Sequence, residues 1–85
     1  MRARHNLALV DGNFRRRAAI SHALSGSDVH IEPFEDIDEI RLAWPRSGAV
    51  LVADQGDAVE YLIDHMTQYG EWLPVIAFSV SSGTL

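Results

Sequence analysis

The feature that most constrains the fold of this chain is a regular alternation of short apolar runs with helical stretches. Each apolar run ends at a polar or turn-forming residue, which favours a buried strand over a helix. The predicted strands are 6–10, 29–31, 49–53 and 74–78, and the predicted helices are 13–25, 35–44 and 57–70. This order predicts a parallel sheet with right-handed crossovers and helices on both faces.

The predicted helices carry recognisable end signals and one apolar side each. Asn13 is a good N-cap, Asp57 and Glu60 form a capping box in its acidic form, and Gly70 follows the third helix as a stop. We expect the arginines of the first helix to face water. The residues expected on the apolar sides are Phe14, Ile20, Ala23 and Leu24 in the first helix, Ile37, Ile40, Leu42 and Trp44 in the second, and Val59, Leu62, Ile63 and Met66 in the third.

The size of the chain allows one hydrophobic core. With 85 residues and no cysteine, it fits a single domain spanning 1–85, with 80–85 as a tail, without a disulfide framework. The absence of cysteine favours a reducing cytoplasm. The apolar runs are far shorter than the roughly 18–20 residues of a bilayer span, so no membrane partner is expected.

The charged residues exclude several kinds of chemistry. All seven basic residues are arginine, and five of them fall within the first 17 positions. Without lysine, the chain has no Schiff-base nucleophile and no Walker-type phosphate lysine. The formal net charge of −5 argues against direct nucleic-acid binding by this segment. The four histidines show no metal-ligand spacing, and no glycine-rich phosphate loop is present.

Three polar residues follow predicted strands directly: Asp11, Asp54 and Ser79. Because the carboxyl ends of parallel strands meet at one sheet edge, these side chains are expected to converge where such folds bind ligands. Simpler interpretations remain open. Asp11 precedes Gly12, a common turn pair, Asp54 can be a turn or cap residue, and Ser79 can be an ordinary strand-end hydroxyl.

In the order and spacing of segments 9–11, 51–54 and 73–79, the sequence resembles the receiver domain of two-component response regulators. The resemblance covers nearly the whole chain. It implies a flavodoxin-like, three-layer α/β/α fold with a parallel sheet, here incomplete, with four strands in the order 2-1-3-4. By this resemblance the chain is a single, partial receiver-like domain, and it is a signalling module rather than an enzyme.

The resemblance also implies a role for each strand-end residue. Asp54 matches the aspartate that accepts a phosphoryl group, and Ser79 matches the hydroxyl that contacts it. Asp11, Asp54 and the backbone carbonyl of Gly56 match the ligands of a Mg²⁺ ion. Such an ion suits this chemistry, because a carboxylate attacks a phosphate anion poorly unless a divalent cation screens the charge.

The sequence departs from the receiver pattern in three places. Gly12 stands where the family has a second acidic residue, which weakens the expected Mg²⁺ affinity. The loop after Asp54 lacks the usual Met-Pro pair, and the chain has neither a fifth strand nor a lysine to follow it. The chain is then either part of a longer regulator or a diverged pseudo-receiver, and both can hold together.

The expected partners follow from the resemblance and from the incomplete sheet. A receiver meets a histidine kinase or phosphotransfer protein, so the run Arg15–Arg17 is either a solvated helix face or a docking surface. An open fourth strand predicts a homodimer or domain-swapped oligomer, formed by edge pairing or by burial of Trp72, Phe78 and Val80.

Two functional hypotheses stand ahead of a third. The first is a bacterial response-regulator receiver, typical of transcription regulation, which accepts or formerly accepted a phosphoryl group on Asp54. The alternative is a phosphorylation-independent pseudo-receiver that acts as a dimerisation or docking scaffold. A small flavodoxin-like enzyme is a weak rival despite the similar architecture, because Gly12 stands alone where a dinucleotide-binding loop needs three spaced glycines.

Overall fold

A computed structural model of the chain describes residues 5–26 and 28–79. Its elements follow the order β1 (His5–Val10), α1 (Phe14–Leu24), β2 (Val29–Phe34), α2 (Ile37–Leu42), β3 (Ala49–Asp54), α3 (Ala58–Tyr69) and β4 (Val75–Ser79). The four strands are parallel and lie in the order β2-β1-β3-β4. The predicted fold class is confirmed as an incomplete flavodoxin-like α/β fold. The predicted tail, 80–85, lies outside the described residues.

The sheet register brings the ends of its strands together. Val10, the last residue of β1, pairs with Phe34 on one side and with Val52 on the other. At the end of β3, Asp54 pairs with Ser79 of β4. The residues that follow β1 and β3 therefore lie at one edge of the sheet, as the sequence predicts.

The core lies between the sheet and helices α2 and α3. Side chains that alternate along the two central strands form one face of this core, and Ile40 of α2 and Leu62 of α3 pack against them. The strand residues are Ala8, Val10, Val50 and Val52. The connection from β1 to β2 runs in the opposite direction to the connection from β2 to β3. Right-handed crossovers therefore place α1 on the other face of the sheet.

The helix ends confirm two sequence signals and correct a third. The side chain of Asn13 accepts a hydrogen bond from the Arg16 amide and caps α1, and Gly70 ends α3 in the left-handed conformation. The predicted capping box is wrong, because the side chain of Asp57 makes no capping hydrogen bond. Its backbone, at φ −103° and ψ 20°, is not in the extended conformation from which an N-cap side chain reaches the helix.

The predicted apolar sides are only partly correct. Helix α1 buries none of its residues, and Phe14 is 71% exposed. Leu42 is also exposed, because α2 ends there instead of continuing to Trp44, and Ile63 is exposed on α3. Strand β2 is longer than predicted and includes Pro33, which a strand at the edge of a sheet tolerates because fewer of its amides are needed for pairing.

Gly48, just before β3, gives the sharpest test of the backbone path. Its φ of +96° is a conformation that residues with side chains rarely adopt, and an added Cβ would overlap the carbonyl oxygen of Asn6. We expect Gly48→Ala to lower the free energy of unfolding by about 2–4 kcal/mol in urea denaturation. Gly26→Ala is the matched control, because a Cβ there meets nothing within 4 Å. Equal effects of the two substitutions on the free energy of unfolding would contradict this backbone path at Gly48.

Candidate functional site

Asp11 is the most deeply placed polar side chain at the carboxyl edge of the sheet. It follows β1 directly and is only 1% exposed. Both of its carboxylate oxygens are engaged by Arg16: Nε donates to Oδ2 at 2.6 Å and Nη2 donates to Oδ1 at 2.7 Å. The backbone amide of Asn13 also donates to Oδ1, at 2.9 Å. The carboxylate is thus held by a two-pronged guanidinium contact, the strong geometry for this pair.

The first turn of α1 builds this contact. Asn13 caps the helix by accepting from the amide of Arg16 at 2.9 Å, which places that arginine one helical turn after the strand end. Arg17 adds a second link, because its Nη1 donates to the backbone carbonyl of Asp11 at 2.7 Å. The expectation that the arginines of this helix face water is therefore wrong for Arg16 and Arg17, which are half-buried, and correct for Arg15, which is exposed.

The electrostatics of the pair follow from its burial and its donors. Burial raises the pKa of the Asp11 carboxyl, but the hydrogen bonds from Arg16 and Asn13 and the positive charges of Arg16 and Arg17 outweigh it. The pKa therefore lies below its ordinary value. The hydrogen bond to Asp11 raises the pKa of the Arg16 guanidinium in turn. The carboxylate and guanidinium both stay charged at neutral pH.

The other predicted site residues lie nearby but outside this pair. Asp54 is exposed at the end of β3, beside Ser79 in the sheet register, and its carboxylate makes no hydrogen bond or ion pair with another described residue. Gly56 lies in the turn between β3 and α3. A cavity of about 200 Å³ opens at this edge, and Asp11, Gly12, Asp36 and Gln55 are among its lining residues. Asp54 and Ser79 are not.

The donor set at this edge does not fit the Mg²⁺ ion that the resemblance implies. Mg²⁺ needs oxygen ligands in near-octahedral geometry. Of the two predicted carboxylates, Asp54 is free to bind, whereas Asp11 already has a cationic partner on both oxygens. Within residues 5–26 and 28–79, no group of three or more histidine or acidic side chains is arranged to hold a metal ion. The metal site stays a prediction, and the arrangement of Asp11 argues against it.

Comparison of this chain with protein-family models, with curated proteins and with solved structures finds no match. Within the described part of the chain, none of the helices has the length and apolar character needed to cross a membrane. What the site does must therefore be argued from its own residues.

Sequence reasoning missed Arg16 as a site residue. In a helical pattern an arginine is expected on the solvent side. Three consecutive arginines, Arg15–Arg17, also do not show which of them faces the protein. A signal was present, however. Asp11 ends a strand and Asn13 caps the next helix, so the residue at the first turn, five positions after the aspartate, can return to it.

Replacing Arg16 tests the ion pair directly. In Arg16→Ala the buried Asp11 carboxylate loses its cationic partner and keeps only the hydrogen bond from the Asn13 amide, which we expect to lower the free energy of unfolding at pH 7 by about 1–3 kcal/mol. Arg15→Ala, on the same helix but exposed, is the control and should change it by less than about 0.5 kcal/mol. Urea denaturation of both variants and the parent chain measures the difference.

The stabilisation by the pair of Asp11 and Arg16 should depend on pH in a definite direction. The folded-state pKa of Asp11 lies below that of the unfolded chain. The pair therefore stabilises the fold above about pH 4, and this stabilisation is lost as the pH falls through the folded pKa. The gap between the parent chain and Arg16→Ala should shrink at low pH. A gap that is absent at pH 7, or equal for Arg15→Ala, would contradict the assigned role.

Proposed function

We propose that this chain is a receiver-like signalling module of a bacterial cytoplasmic regulator that acts through protein contacts without phosphorylation. The flavodoxin-like fold supports the receiver-like part of the proposal. The observation that carries the rest is the two-pronged contact of Arg16 with Asp11. It puts a protein cation where the resemblance to receivers implies a divalent metal.

Charge and geometry both disfavour metal-assisted phosphoryl transfer at this edge. A divalent cation bound by Asp11 would have to displace two short hydrogen bonds and then lie close to the freed guanidinium, which repels it. Gly12 offers no carboxylate as a substitute ligand. Without the cation, the approach of a phosphate anion to the Asp54 carboxylate is opposed by like charge. Asp54 is then an exposed surface carboxylate rather than a nucleophile.

The Arg16 guanidinium also gives this edge of the sheet a permanent positive charge rather than one that can be switched on and off. An arginine stays protonated at every physiological pH, whereas a bound metal or phosphoryl group comes and goes. The ion pair between the end of β1 and the start of α1 therefore keeps the same charges throughout the physiological pH range. Such an edge suits a docking scaffold whose activity is set by the presence of its partner.

A second candidate function is the phosphorylated receiver itself. It is favoured by one observation, the placement of the exposed Asp54 beside Ser79 in the sheet register. This pair matches the acceptor and hydroxyl of the receiver pattern. A histidine kinase or phosphotransfer protein would then be the partner, whereas the scaffold function needs only a docking protein.

Titration with Mg²⁺ and then beryllofluoride, an aspartyl-phosphate mimic, separates the two functions. Followed by amide NMR, the parent chain should show no saturable shifts at Asp11, Gly56 or Ser79, and Asp54→Asn should behave in the same way. Saturable shifts that disappear in Asp54→Asn would contradict the scaffold proposal and support the phosphorylated receiver.

A double variant provides the positive control for this titration. Arg16→Ala removes the internal cation, and Gly12→Asp supplies the missing carboxylate where an added Cβ makes only an ordinary contact, 3.6 Å from the Glu35 carbonyl oxygen. We expect the double variant to bind Mg²⁺ saturably. A double variant that folds but binds no better than the parent would show that Arg16 and Gly12 are not what limits binding.

The partner of the open sheet edge is proposed to be a second copy of this chain. Strand β4 has no charged residue and no proline, whereas β2, at the other edge, carries Glu32 and Pro33. Charges and prolines are the usual protection of sheet edges, so β4 is the unprotected one. Ile76 on β4 is 53% exposed, and Trp72 just before it is exposed as well. Phe78, also expected in this interface, is half-buried. Val80, the third expected residue, lies outside the described residues.

Light scattering coupled to size-exclusion chromatography tests this dimer. We expect the 85-residue chain to be dimeric and Ile76→Lys to be monomeric, because a lysine on an edge strand opposes pairing. Ile63→Lys is the matched control, since Ile63 is similarly exposed but lies on α3 and not on the edge strand, and it should leave the dimer intact. A parent chain that stays monomeric over a wide concentration range would refute the proposal.

A further inference from the structure

A second site lies on the face of the sheet that α2 and α3 cover. A cavity of about 590 Å³ is formed by α2, by α3 and by the residue after Gly70. The lining residues from α3 belong to the carboxyl-terminal half of that helix, and Asp11 is not among the lining residues. They are Asp38, Arg41, Leu42, His65, Tyr69 and Glu71. Its volume is within the usual range of small-molecule sites, roughly 300–1,000 Å³.

His65 is the unusual residue of this cavity. Its side chain is only 6% exposed, yet neither ring nitrogen has a hydrogen-bond partner among residues 5–26 and 28–79. Its Nε2 lies 3.8 Å from Oε1 of Glu71, another lining residue, so this edge of the ring is directed at the cavity wall. Buried polar atoms are nearly always hydrogen-bonded, because leaving one without a partner costs free energy. An unpartnered imidazole beside a cavity therefore points to a ligand.

The orientation of His65 is fixed by the rings on either side of it. The Trp44 ring lies 4.4 Å from the imidazole, centroid to centroid, and the Tyr69 ring lies 4.8 Å from it. Both pairs are tilted by about 45°, a favourable arrangement for aromatic contacts. The nitrogen atoms are thus held in place before any ligand arrives, which lowers the entropy cost of binding.

The charged residues around the cavity indicate the charge of the ligand that it would bind. Glu71 and Asp38 supply two carboxylates, and the one cation, Arg41, lies 3.8 Å from Asp38 and offsets it. In the part of the chain that the structure describes, the carboxylate of Glu71 has no arginine beside it and faces the imidazole of His65 at 3.8 Å. The exposed ring of Tyr69 adds a π face, which attracts positive charge. An anion would be repelled here, and no metal-holding group of three ligands exists among the described residues.

We propose that this cavity binds a small organic cation, a guanidinium or a primary ammonium group. The cation enters between His65 and Glu71, whose facing atoms lie 3.8 Å apart, and donates one hydrogen bond to a ring nitrogen of His65 and one to the carboxylate of Glu71. Its body lies against the ring of Tyr69. This arrangement gives a partner to the Glu71 carboxylate and to one of the two ring nitrogens of the buried imidazole. It does not depend on Asp54 or on the proposed docking function.

Two compounds of the same shape and different charge test the proposal. Propylguanidinium and its neutral isostere propylurea are titrated into the full chain and followed by NMR at His65, Tyr69 and Glu71. We expect saturable shifts with propylguanidinium and at least about tenfold weaker binding of propylurea, because the charged hydrogen bonds are lost. Butyrate should not bind. Equal binding of the two isosteres, or tighter binding of butyrate, would overturn the proposal.

Variants of two carboxylates on the same side of the fold complete the test. Glu71→Gln should weaken propylguanidinium binding about tenfold. Glu60→Gln, which removes an exposed carboxylate of α3 outside the cavity, should leave binding unchanged. Equal weakening by both variants would show unspecific attraction to an acidic surface and refute the site. A capped Gly-Arg-Gly peptide that binds more tightly than propylguanidinium would identify a protein side chain as the source of the cation, and weaker peptide binding a free small molecule.

Discussion

The ion pair between Asp11 and Arg16 is the interaction on which this end of the molecule depends. Helix α1 buries none of its own residues, so apolar packing alone does not hold it to the sheet. Instead, the helix is attached at its first turn, where the Asp11 carboxylate receives Arg16 and the Asn13 amide, and the Asp11 carbonyl receives Arg17. A buried carboxylate without such partners would destabilise the fold strongly. The same contact therefore supports the fold and determines what the strand-end edge can do.

The two faces of the sheet differ in how they are stabilised and in what they offer. Helices α2 and α3 pack on one face with an apolar core, and between them lies the cavity with the unpartnered His65. On the other face α1 lies against β1 and β2 and is held by polar contacts. Strand β4, at the opposite edge of the sheet from β2, is exposed and uncharged. The proposed activities divide accordingly: cation binding belongs to the packed face, and self-association belongs to the open strand.

The sequence predicts the fold well because apolar runs indicate which segments are buried and turn residues indicate where these segments end. The four strands, the start of α1 and the end of α3 follow from such local patterns, and the strand order follows from the resemblance to receiver domains. The site is predicted less well, because its chemistry depends on contacts between residues that the pattern treats separately. The sequence pattern predicts that Arg16 faces solvent, whereas it contacts Asp11. The pattern also predicts that Asp57 caps α3, but the backbone angles of Asp57 prevent its side chain from making that hydrogen bond. His65 gives no signal at all, since its burial between Trp44 and Tyr69 comes from tertiary packing.

The most direct test of the account is the NMR signal of the Arg16 Nε–H group. In a buried, two-pronged contact this hydrogen should exchange slowly with water and resonate away from the other arginines, and added Mg²⁺ should leave it unchanged. In Asp11→Asn the signal should move to the position of Arg15. An Arg16 signal that already coincides with that of Arg15 in the parent chain, or that Mg²⁺ releases, would contradict the claim that this arginine takes the place of a metal.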